Sequence, residues 1–93
     1  MRIHRGGRSR ASELRGIIEQ LCEPLDPARH GQALSTLRAV RRADELDQLA
    51  GAWLTDGPGV RLKLIKHGVG TFMVVEYDDG WTTRLSMAAL HRR

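Results

Sequence analysis

The feature that most constrains the fold is a change in the spacing of apolar residues just beyond the middle of the chain. Before residue 55 they recur every third or fourth residue, as in amphipathic helices, and after residue 59 they alternate with polar residues, as in strands. Residues 55–59 are dense in turn formers and separate the two parts. Because 93 residues provide one core, the sequence predicts an α+β domain with three N-terminal helices packed on one face of a C-terminal three-stranded antiparallel meander.

Three helices are predicted, over residues 10–23, 27–41 and 44–54. The first carries an apolar stripe with helical spacing, made of Leu14, Ile17, Ile18, Leu21 and Cys22. Asp26 and Pro27 are a typical N-cap and first-turn proline, so they predict the start of the second helix. If the second helix continued straight to Trp53, its rotation of about 100° per residue would put the apolar residues after Asp44 on roughly the opposite side of the helix from those before it. One straight helix cannot bury both sets, so Asp44 is expected to cap a third helix that turns Trp53 inward.

Three strands are predicted, over residues 60–66, 71–77 and 81–87, and the last two are joined by the turn sequence Asp-Asp-Gly. With Tyr77 opposite Trp81, the alternation of the hairpin directs one set of side chains toward the helices. This set is Met73, Val75, Tyr77, Trp81, Leu85 and Met87. The remaining face then combines Arg61, Lys63 and Ile65 with Phe72, Val74, Glu76, Thr82, Arg84 and Ser86.

Such a mixture of basic and apolar side chains favours a binding surface, because a solvated sheet face is usually more uniformly polar. Two other interpretations of Phe72 and Val74 remain open. The N-terminal arm covers them in one, and a homodimer partner covers them in the other.

The positive charge of the chain is concentrated at its N-terminus. Four arginines, Arg2, Arg5, Arg8 and Arg10, lie in the first ten residues without an acidic residue, and the formal net charge of the whole chain is +4. Residues 1–9 are therefore interpreted as a flexible Arg-rich arm, and residues 10–93 as the domain. Arginine binds phosphate through a planar fork, although the codon bias of a GC-rich genome would also explain its abundance.

Several classes of protein are disfavoured by the sequence. No apolar run is long enough to span a bilayer, and the first ten residues lack the apolar middle of a signal peptide, so a cytoplasmic location without membrane contact is expected. The single cysteine, Cys22, lies on an apolar helix stripe, and the four histidines have no metal-ligand spacing. We therefore predict no metal, no cofactor and no catalytic residue.

The stretch from Val60 to Gly80 resembles the central hairpin of ribosome-dependent mRNA interferases of the RelE and HigB type, as does the order of a short first strand, helices and a three-stranded meander. The resemblance implies that Arg61, Lys63, Lys66 and Arg84, with His91 or Arg92, contact RNA and promote attack by its 2′-hydroxyl. The first strand of that order would be a short edge strand at Met1 to His4. The chain departs from the pattern in its third helix, in the very short length of this first strand and in lacking a tyrosine near the C-terminus.

These patterns predict a small basic module that binds RNA or DNA, or a nucleoprotein complex, without catalysis. The predicted nucleic-acid-binding residues are Arg2, Arg5, Arg8, Arg10, Arg61, Lys63, Phe72 and Arg84. Residues predicted to contact a protein partner or a second copy are Ile65, Phe72 and Val74. Two alternatives remain, the interferase and a phage or mobile-element protein that inhibits a host nucleoprotein by protein–protein binding.

Overall fold

The computed structural model describes residues 10–54, 59–78 and 81–89. Its helices are α1 (Arg10–Cys22), α2 (Gly31–Arg38) and α3 (Ala43–Leu49), and its strands are β1 (Arg61–Gly68), β2 (Thr71–Asp78) and β3 (Trp81–Ala89). The strands form an antiparallel sheet in the order β1-β2-β3, and α1 packs against β3. The predicted fold is therefore confirmed. In the described ranges, no helix is long and apolar enough to cross a membrane.

The stripe predicted on α1 is buried over its full length. The helix ends at Cys22, two residues before Pro24, and Leu25, 6% exposed, anchors the following turn in the core. The apolar residues expected to face inward from the predicted second helix are also buried, and they are Ala33, Leu34, Leu37 and Val40, of which Val40 lies just beyond α2. In the predicted third helix Leu46 is buried, whereas Leu49 is half-buried. Spacing of apolar residues thus identified most of the helical half of the core, but not Leu25.

The second and third helices are shorter than predicted. Asp26 and Pro27 do not begin α2, because the Asp26 carbonyl accepts the backbone N–H of Arg29 and of His30 and closes a separate turn. The break before α3 is confirmed, but Asp44 lies in its first turn, and the Glu45 carboxylate accepts the N–H groups of Arg41 and Arg42. These donors lower the pKa of Glu45.

The chain leaves the helical path after Leu49, where the prediction continued the third helix to residue 54. Gly51 adopts φ of 89°, a conformation that ends helices and that glycine accommodates most readily. From there the chain runs beside β1, since the Gly51 N–H donates to the Leu64 carbonyl and the Leu54 N–H to the Leu62 carbonyl. Trp53 forms a β-bridge with Lys63, so the prediction that a helix turns Trp53 inward is wrong.

The side of the sheet that packs on the helices is the reverse of the one predicted for β2. Phe72, 1% exposed, and Val74, fully buried, lie in the core cluster with the helical stripes, together with Leu62, Leu64 and Ala88. Phe72 and Val74 therefore do not belong to a nucleic-acid or partner surface. Alternation along a strand does not by itself specify which of its two faces is buried. The prediction also put Lys63 on the same face as Val74, whereas in the structure Lys63 lies opposite Val75, and Leu64 lies opposite Val74.

The β2–β3 hairpin also has a different register. Asp78, not Tyr77, lies opposite Trp81, and Tyr77 lies opposite Thr82. Between Val74 and Val75 the register shifts by one residue of β3, which leaves Leu85 as a β-bulge. The bulge places Arg84 and Met87 on the same face although they are three residues apart, whereas the Ser86 hydroxyl donates to the Gln20 carbonyl of α1.

Candidate functional site

The sheet face turned away from the helices has three rows of side chains, because directly opposed residues of paired strands share a face. In the order β1, β2, β3, the rows are Arg61-Tyr77-Thr82, Lys63-Val75-Arg84 and Ile65-Met73-Met87. We call these nine residues, together with Trp53 beside Lys63, the open face. None of the ten is acidic. The face therefore presents basic groups at one end and an apolar row at the other.

Trp53 is the centre of an aromatic and cationic cluster on the open face. Its ring meets the Tyr77 ring edge to face, with centroids 5.4 Å apart and planes at 68°. The Lys63 ammonium lies 4.7 Å from the Trp53 ring centroid, and the Arg61 guanidinium lies 5.9 Å from both ring centroids. These are distances at which the negative face of an aromatic ring attracts a cation. The cluster fixes two positive charges close to two aromatic rings.

Two side chains of this cluster, those of Trp53 and Arg61, remain accessible. Trp53 is 52% exposed, although tryptophan is usually well buried, and Arg61 is exposed. Because Trp53 follows the glycine turn after α3 and is bridged to β1, its backbone is held by the sheet. The ring is thus presented to solvent on a structured support.

The middle row combines two cations with a buried apolar residue. Val75 is only 3% exposed although it lies on the open face, between half-buried Lys63 and exposed Arg84. Long basic side chains cover apolar surface with their methylene stems while their charged ends stay in water. The row therefore has exposed Arg84 on one side of Val75 and Lys63, whose ammonium lies over the Trp53 ring, on the other.

The predicted site residues separate into three groups. Arg61, Lys63 and Arg84 share one face as predicted, with Ile65 in the adjacent apolar row. Phe72 and Val74 are in the core. Arg2, Arg5 and Arg8 lie outside the described residues, and Arg10 is the first residue of α1.

Two aromatic members of the cluster were absent from the predicted site. Tyr77 was placed against the helices by the wrong strand register, and Trp53 was assigned to the inner side of a helix. Gly51 carried a signal for Trp53, because a glycine at this point is a common helix terminator.

The other sequence-based candidates lie apart from the open face. Lys66 forms an ion pair with Asp47 of α3, at 3.2 Å. His91 and Arg92, implied by the interferase resemblance, lie outside the described residues. Among the described residues, no three His, Cys, Asp or Glu side chains are placed to hold a metal ion together.

A second polar cluster ties the turn between α1 and α2 to the sheet. Arg29 forms a salt bridge with the Glu76 carboxylate, and the buried His30 Nε2 lies 3.3 Å from Glu76 Oε1. The other ring nitrogen, Nδ1, accepts the backbone N–H of Asp26 at 3.0 Å. The hydrogen bond from Arg29 holds the pKa of Glu76 below its ordinary value, with a smaller contribution from the charge of Arg29. These contacts connect the chain near residue 30 to β2.

This cluster predicts an acid-dependent part of the stability. Since the pKa of Glu76 is lowered in the folded state, its ionised form stabilises the protein above the unfolded-state pKa of about 4.3. That contribution is lost as the pH falls through the lower folded-state value. We expect Glu76→Gln to reduce the free energy of unfolding by about 1–2 kcal/mol near neutral pH, and the difference from wild type to shrink in acid.

Urea denaturation at several pH values measures this difference. Glu19→Gln is the matched control, because Glu19 is an exposed carboxylate on α1. A deficit of Glu76→Gln that does not change with pH would contradict the assignment.

Comparison of the chain with protein-family models, with curated proteins and with solved structures finds no match.

Proposed function

We propose that the protein is a small non-enzymatic module that binds nucleic acid through the open face, assisted by its Arg-rich N-terminal segment. The observation that carries this proposal is the cluster of Trp53, Tyr77, Arg61 and Lys63, which holds aromatic rings and cations together on a face without acidic residues. Nucleic acids present phosphates and aromatic bases, so a ligand of this class can satisfy both components of the cluster.

Three basic residues of the open face are positioned to contact phosphate. Arg61 and Lys63 alternate along β1, and Arg84 lies two strands away on β3. Neighbouring strands are about 4.8 Å apart, so the cations span roughly 10 Å across the sheet. Arginine binds phosphate oxygens through two parallel hydrogen bonds, which also orients the ligand. This distribution favours contact with several phosphates instead of one bound anion.

The N-terminal arginines supply the long-range attraction in this proposal. Arg2, Arg5, Arg8 and Arg10 account for a charge equal to the whole formal excess of +4. Attraction to the phosphate backbone is independent of base sequence and raises the rate of encounter. The segment and the open face therefore have different roles, the first in attraction and the second in positioning.

The double variant Arg61→Gln/Arg84→Gln tests the open face. Affinity for nucleic acid falls with salt, and the slope of log affinity against log salt concentration reports the number of phosphates contacted. If each arginine contacts one phosphate of a single strand, we expect this slope to fall by about 1.4 and the affinity to fall roughly 25-fold near 0.1 M salt. The control is Arg15→Gln/Arg41→Gln, which removes the same charge from two exposed arginines on the helical side of the molecule. Fluorescence anisotropy with labelled RNA and DNA oligonucleotides over a range of salt concentrations measures both quantities.

The outcomes distinguish this proposal from its alternatives. Equal losses in both double variants would mean that binding follows net charge and not the open face. Cleavage of mRNA on translating ribosomes would favour the interferase. If the protein binds no oligonucleotide at low salt but retains a host protein in a pull-down at high salt, the inhibitor is favoured.

A further inference from the structure

We infer that the ligand of the open face is a single-stranded nucleic acid, with one base stacked on the Trp53 indole and its neighbouring phosphates bound by Lys63 and Arg61. This inference rests on the proposed function and specifies the form of nucleic acid that the site accepts. It is carried by the accessibility of the Trp53 ring and by the contacts that hold the ring in place.

The Trp53 ring is both accessible and held. Lys63 and the edge-to-face contact with Tyr77 fix its orientation, yet 52% of the residue remains exposed. A ring held before binding loses little conformational freedom when a base stacks on it. Bases of a single strand can turn a flat surface toward such a ring, whereas bases in a duplex are already stacked on one another.

The two cations of the cluster are close enough to Trp53 to bind the phosphates on either side of a base stacked on its ring. Lys63 and Arg61 lie within 6 Å of the ring centroid, at 4.7 and 5.9 Å. A base on Trp53 therefore brings its own phosphates within reach of two cations. The middle row of the open face runs from Trp53 through Lys63 and Val75 to Arg84. The nucleic-acid strand therefore has a path across the sheet, with a cation on each side of the apolar Val75.

A duplex fits the described surface less well. The major groove is about 12 Å wide and admits a helix or a two-stranded ribbon, whereas the outer strands of this sheet are already about 10 Å apart before side chains are counted. The third helix is also poorly suited to enter the groove. α3 carries Asp44, Glu45 and Asp47 within seven residues, and these carboxylates repel phosphate.

The Trp81→Phe protein provides a direct test, because the chain has two tryptophans and this change leaves Trp53 as the one tryptophan, whose emission is excited selectively at wavelengths that tyrosine does not absorb. Trp81 is 77% exposed and outside the open face, so its replacement is expected to leave folding and binding unchanged. The probes are oligo(dT) of roughly 12 nucleotides and the same strand annealed to oligo(dA). We expect the single strand to quench Trp53 emission saturably, and to compete at least about tenfold better than the duplex for a labelled strand.

Two variants of Trp53 complete the experiment. Trp53→Ala is expected to weaken single-strand binding about tenfold or more, and Trp53→Phe to restore much of the affinity because phenylalanine can also stack. Circular dichroism and thermal denaturation establish that both variants fold, which is expected from the exposed position of Trp53.

Binding seen by anisotropy but without quenching, or equal competition by the duplex, overturns the single-strand inference and leaves the proposed function standing. Absence of binding to either probe at low salt overturns both. Equal affinities of Trp53→Ala and wild type also contradict stacking on this ring.

Discussion

Phe72→Ala is expected to destabilise the protein by about 3–5 kcal/mol, as is usual when a buried phenylalanine is truncated. Phe72 is 1% exposed and packs in the cluster formed by the helical stripes and the inner face of the sheet. A small domain has roughly 5–15 kcal/mol of stability in total. For a chain of this size the change corresponds to a fall in melting temperature of about 15–30 °C, measurable by circular dichroism or calorimetry.

The matched control is Met87→Ala, which also removes a large apolar side chain from the sheet but from the open face. Met87 is 40% exposed, so we expect a loss of less than about 1 kcal/mol. If the two variants were equally stable, the assignment of inner and outer faces would be wrong. Destabilisation of Met87→Ala alone would indicate that the open face packs against another part of the chain.

Replacing Arg2, Arg5, Arg8 and Arg10 with glutamine is expected to have the largest effect on binding. Each arginine that neutralises one phosphate of a single strand contributes about 0.7 to the slope of log affinity against log salt. Four such contacts lower the slope by up to about 3, and the affinity near 0.1 M salt by up to roughly a thousandfold. The stripe of α1 begins at Leu14, so the fold is expected to be unaffected. Salt titrations by anisotropy measure the slope.

The control for this prediction is a protein whose first ten residues are scrambled with their composition preserved. Because attraction to phosphate depends on charge and not on base sequence, the scrambled protein is expected to keep the wild-type slope. An unchanged slope in the glutamine variant would remove the N-terminal segment from the proposed interface. A reduced slope in the scrambled protein would instead indicate a defined binding motif.

The helical half of the fold could be predicted because helix stripes depend on spacing along one segment. The stripe from Leu14 to Cys22 and the break before α3 follow from residues that are close in sequence. The ends of the helices depend on individual interactions that spacing does not reveal. Asp26 uses its carbonyl to close a turn with His30, and Gly51 takes a positive φ, so α2 begins later and α3 ends earlier than the apolar pattern suggests.

The strands could be located, but their register could not. Strand pairing is decided by contacts between distant residues, and a shift of one position exchanges the two faces. Arg61, Lys63 and Arg84 were placed on one face correctly, whereas Phe72 was placed there incorrectly. The aromatic part of the site depends on this register and on the path after Gly51, so Trp53 and Tyr77 could be assigned to the open face only from the structure.

The irregularity at Leu85 also bears on self-association. Unpaired backbone groups at a sheet edge are a template for further strands, and bulges and covering segments are among the devices that block such pairing. In the described part of the chain, β3 is one outer edge and carries the bulge, while hydrogen bonds from Gly51 and Leu54 occupy part of the β1 edge. Neither edge presents a long regular ladder, so both margins of the sheet are poor templates for amyloid-like growth.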